Sequence, residues 1–60
     1  MTAAEIYESM DECMKAYKGK NIKVVIPAVR AHAAELGRMV DKTEDDILRF
    51  YFEMRHLGDH

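Results

Sequence analysis

The chain has 60 residues and a mass of 6.9 kDa, room for a single domain over residues 1–60, and its 48% hydrophobic and 33% charged content suits a folded domain rather than a disordered tail. Nine Lys+Arg against eleven Asp+Glu give a net charge of -2, which excludes a global pull toward nucleic acid or an anionic membrane. A lone cysteine, Cys13, excludes an internal disulfide, and so short a chain lacks room for an ordinary catalytic pocket with its supporting shell.

Thr2-Ala3-Ala4-Glu5 is a capping-box pattern, which predicts a helix start. Behind it Ala3, Ile6, Met10, Cys13, Met14 and Tyr17 recur at steps of three and four, the spacing of one helix face. Acids lie early in this segment and Lys15 and Lys18 late, which complements the helix dipole, and Gly19 supplies the stop. The next stretch, residues 22–26, is ambiguous. Ile22, Val24 and Ile26 alternate with Lys23 and Val25, and Pro27 biases Ile26 away from helical dihedrals, so an extended segment is preferred. Ile22, Ile26, Val29, Ala33, Leu36 and Val40 also fit a helical stripe from Asn21, kinked at the proline. In the preferred reading the second helix opens with Pro27 at its first position and stops at Gly37. Residues 38–42 connect to a second capping box, Thr43-Glu44-Asp45-Asp46. The third helix carries Ile47, Phe50, Tyr51, Met54 and Leu57 on one face, and Leu48 and Phe52 form a second apolar line beside it. The expected fold is an all-α, three-helix, helix-turn-helix-like bundle, with Ile6, Met10, Val29, Leu36, Ile47, Phe50 and Met54 buried together.

Glu5, Glu8, Asp11 and Glu12 occupy the region where a signal peptide needs a basic start and an apolar run. The longest apolar run, residues 24–29, is far short of the ~20 residues that span a bilayer. With one thiol, a reducing, cytoplasmic setting is expected, with no membrane partner.

The order helix, short extended segment, helix, tight turn, helix is that of winged-helix domains. Ala33-Ala34-Glu35-Leu36-Gly37 followed by Thr43-Glu44-Asp45-Asp46-Ile47 resembles the second helix, turn and third helix of such a domain, over roughly the last half of the chain. No wing hairpin follows before Asp59-His60. The resemblance implies DNA binding, for which Lys15, Lys18, Lys20, Lys23, Arg30, Arg38 and Lys42 are the candidate phosphate contacts. The first turn of the third helix, however, carries Glu44, Asp45 and Asp46, where groove readers place Arg, Lys, Asn or Gln.

Other chemistries find less support. His56 and His60 are four apart, but Gly58 intervenes and a closed zinc site needs four ligands. His32 has no neighbour in sequence to pair with, and Cys13 sits on an apolar stripe, where a buried, unreactive thiol is expected. The neighbouring acids Asp11 and Glu12, or Asp45 and Asp46, point to different helix faces and make no acid–base pair. The three glycines are isolated, so no phosphate-cradling loop exists. No enzyme activity, cofactor, metal or small-molecule substrate is therefore expected. Protein–protein contact is the preferred class, as a homodimer or docked on a larger partner. Leu48, Tyr51 and Phe52 are the candidate anchors, with Arg49, Glu53 and Arg55 as the charged rim. The alternative for the second line, that the third helix is central and covered on both flanks, stays open.

Overall fold

In the computed structural model, which describes residues 1–58, short turns join three α-helices: α1 (Ala3–Ala16), α2 (Ile22–Val40) and α3 (Glu44–Gly58). No strand occurs among the described residues, so the architecture is an all-α three-helix bundle. Both capping boxes form. Thr2 Oγ1 accepts the Glu5 N–H at 3.2 Å, and Glu5 Oε1 accepts the Thr2 N–H at 2.9 Å. Thr43 and Asp46 exchange the same two bonds at 3.1 and 3.2 Å. Each pair satisfies donors that a helix start otherwise leaves bare, and the bonds from Thr2 and Thr43 hold the Glu5 and Asp46 carboxyls below their ordinary range.

The segment 22–26, expected to be extended, is helical. Asn21 provides the start: its Oδ1 accepts the Lys23 N–H at 2.8 Å, and its carbonyl takes the amides of Val24 and Val25. This cap outweighs the local preference of the β-branched run. Pro27 consequently lies inside α2 rather than at its first position. It has no N–H to offer the Lys23 carbonyl one turn back, but both residues are exposed and water can serve that acceptor.

α2 also runs through Gly37, the expected stop, so Arg38 is helical and only residues 41–43 connect to α3. The true stop is Asp41, in the left-handed region at φ 58°, with the Lys42 N–H donating to the Gly37 carbonyl at 2.8 Å. Gly37 matters for another reason. A Cβ there would lie 2.5 Å from the Lys42 carbonyl oxygen, so only glycine lets the connection fold so closely onto the helix.

Ile6, Met10, Val29, Ala33, Leu36, Ile47 and Tyr51 form one buried cluster drawn from all three helices. Tyr7, Cys13, Met14, Val25, Val40, Leu48 and Phe50 are partly buried against it. Two expectations fail. Phe50 lies at the edge and Met54 is exposed; α3 gives the buried cluster Ile47 and Tyr51 instead. The molecule is flattened, 30 × 29 × 15 Å, which leaves each helix an outward face.

Candidate functional site

On the outside of α3, Arg49, Phe52, Glu53, His56 and Leu57 recur at helical steps and line one shallow depression. Phe52 is 51% and Leu57 63% exposed. The Phe52 ring stands edge-on to Tyr51, with centroids 5.3 Å apart, so a core residue fixes it from behind. Of the residues expected at a contact surface, Arg49, Phe52 and Glu53 are brought together here. His56 and Leu57 join them, although the spacing along α3 puts Leu57 on the inner line. Leu48 is half-buried against the core.

Tyr51, which the spacing puts on the inner line and the contact line alike, is fully buried, so the inner placement holds and the contact one is corrected. Its ring stacks on Tyr7 at 5.1 Å. Its hydroxyl donates to Asp11 Oδ1 at 2.9 Å and accepts from an Arg55 guanidinium N–H at 3.0 Å. Asp11 Oδ2 meets Lys15 Nζ at 3.0 Å. The Lys15 and Tyr51 bonds hold the Asp11 carboxyl below the ordinary carboxylate range, and Asp11 in turn pushes Lys15 up. Burial, and then the bond to Asp11, pushes the Tyr51 hydroxyl up. Arg55, expected at the rim, thus belongs to a network that clamps α1 to α3. The sequence held one trace of this: Tyr51 lay between the two apolar lines, where a phenol turned inward needs a polar partner.

The seven candidate phosphate contacts do not form one face. Lys15, Lys18 and Lys20 line an open groove of about 620 Å³ with Tyr7, Tyr17, Ile22 and Arg55. Lys23 is exposed on the first turn of α2. Arg30 reaches Glu44 at 3.5 Å. Arg38 and Lys42 lie at the far end of α2, Lys42 beside a recess lined by Ile6, Asp46 and Phe50. In the first turn of α3, Glu44 and Asp46 are therefore held by Arg30 and the Thr43 cap.

One polar pairing escaped the sequence. Ser9 Oγ lies 2.8 Å from His32 Nε2, joining α1 to α2 across 23 positions. Residues on different helices leave no local signal for such a bond. Among the described residues no third group holds the other His32 nitrogen, so the pair lacks the orienting member of a nucleophilic triad. Cys13 is half-buried, and burial pushes its thiol up, away from the reactive thiolate. Among the described residues no three His, Cys, Asp or Glu side chains gather to hold a metal, and His60, the sequence partner of His56, lies outside the described residues. No described helix is long and apolar enough to cross a membrane. No protein-family model, curated protein or solved structure matches the chain.

Proposed function

We propose that the protein is a small, non-enzymatic regulatory or adaptor module that acts by protein–protein contact and self-associates through the outer face of α3. The observation that carries this reading is the pair of large apolar side chains, Phe52 and Leu57, exposed on one face and bordered by Arg49, Glu53 and His56. Apolar anchors inside a charged rim are the expected anatomy of a contact surface. The face is also self-complementary. Two antiparallel copies related by a two-fold axis between Met54 and Arg55 set Phe52 of each against Leu57 of the other, and Glu53 against His56.

A DNA-binding regulator is the second reading, favoured by the three lysines that share the α1–α2 groove. The acids of the first α3 turn weigh against it, because they occupy the end that would enter the groove. Sedimentation velocity over a concentration series tests the first reading: a monomer–dimer equilibrium is expected, and a monomer at every concentration overturns it. Titration with random duplex DNA across a salt series tests the second, which requires binding that weakens steeply with salt.

A further inference from the structure

We propose that the tip formed by the α1–α2 turn and the first turns of α2 docks peripherally on an anionic lipid surface. The net charge of -2 conceals a segregation: between Glu12 and Glu35 the chain holds five of its nine basic residues and none of its eleven acids. Lys18, Lys20 and Lys23 are exposed in this stretch and have no ion pair among the described residues. The same tip exposes three branched aliphatics, Ile22 at 67%, Val24 at 56% and Ile26 at 50%.

Helical geometry selects the occupant. Successive residues turn about 100° around the axis, so Ile22 and Ile26 share a side while Val24 lies about 200° from Ile22. A folded partner docked on one face covers one side and leaves the other wet. A lipid interface surrounds the tip and covers both. Nucleic acid would use the lysines but leave the aliphatics without a role. Asn21 takes the amides of Lys23, Val24 and Val25, so the helix start does not carry those donors bare into the interface. Apolar groups at the headgroup boundary within a collar of lysines are the anatomy of peripheral attachment to anionic lipid. This departs from the expectation of no membrane partner, which rested on the average charge and on the lack of an apolar run long enough to span a bilayer; peripheral docking needs neither. It uses none of the α3 residues assigned to self-association, so either proposal can fail alone.

The test is co-sedimentation of the whole chain with phosphatidylcholine vesicles, with and without about 30% phosphatidylserine. Binding is expected only with the anionic lipid, and it should weaken steeply with salt. Each lysine contributes about fivefold, so the triple variant Lys18→Glu, Lys20→Glu, Lys23→Glu should bind about a hundredfold more weakly or worse. The double variant Val24→Ser, Ile26→Ser should lose about tenfold on vesicles while binding an oligothymidylate strand as the parent does. Far-UV circular dichroism verifies the fold, and if the double variant loses helix, Ile22→Ser at the most exposed position answers the same question. Absence of binding to anionic vesicles overturns the proposal. So does vesicle binding indifferent to the serine substitutions, which would mark the tip as a general polyanion surface.

Discussion

α3 carries two apolar faces of similar size and opposite fate. On the inner face, Ile47 and Tyr51 meet residues from α1 and α2, and each ends with almost no exposed surface. On the outer face, Phe52 and Leu57 remain more than half exposed. Composition does not separate them, since aromatic and aliphatic residues serve on both. Position relative to the neighbouring helices does: the inner face has Tyr7 to stack on and Asp11 to bond, and the depression on the outer face is lined, among the described residues, by groups of α3. An apolar line on a helix is thus a demand for a partner, and only the tertiary arrangement decides whether the chain meets that demand.

The sharpest way to break the comparison is Tyr51→Ala. It removes a fully buried ring and its hydroxyl links to α1, and should cost about 3–5 kcal/mol, comparable to the whole stability of so short a domain. A variant that melts near the parent would show that the inner face is not the core. Gly37→Ala comes next. The added methyl collides with the Lys42 backbone, which sets where α3 begins, so a loss of about 1–3 kcal/mol is expected in chemical denaturation. An unchanged midpoint would mean that the connection does not press on α2. Thr43→Ala removes the acceptor for the Asp46 amide and should cost about 1 kcal/mol, a fall of several degrees in Tm, and Thr2→Ala should cost less because terminal turns fray.

The smallest effect is the response to acid. Glu5, Asp11 and Asp46 each have a folded pKa below the unfolded value, so their contribution is complete above the ordinary carboxylate range. It is lost as pH falls through about 4 toward the folded values. Asp11 ties the inner face to α1, so Asp11→Asn should flatten part of this acid dependence in thermal melts between about pH 5 and 3. A profile identical to the parent's would remove Asp11 from the account.

Much of the fold was legible because its signals are local. Thr2 with Glu5, and Thr43 with Asp46, announce helix starts within four residues, and steps of three and four within each helix, Ile6 to Met10, Val29 through Ala33 to Leu36, and Ile47 to Tyr51, announce the core. What was misread depends on competition or on distance. Residues 22–26 combine a β-branched run with a following proline, and the Asn21 cap that outweighs them is a single polar side chain. Gly37 has the usual look of a stop, yet its role depends on the Lys42 backbone passing over it. At the candidate site, Arg49, Phe52 and Glu53 could be placed by spacing. The Tyr51 bond to Asp11 could not, because the two lie 40 positions apart.

The most direct test of the account is Phe52→Asp, read by sedimentation and far-UV circular dichroism on the same sample. Phe52 is half exposed and outside the buried cluster, so the account predicts helix content and melting close to the parent's, with association lost because each copy would set an unpaired carboxylate against the other's Leu57. Loss of helix would place Phe52 in the core and contradict the division between the two faces. A folded variant that still dimerises would contradict the assignment of the outer face as the contact surface.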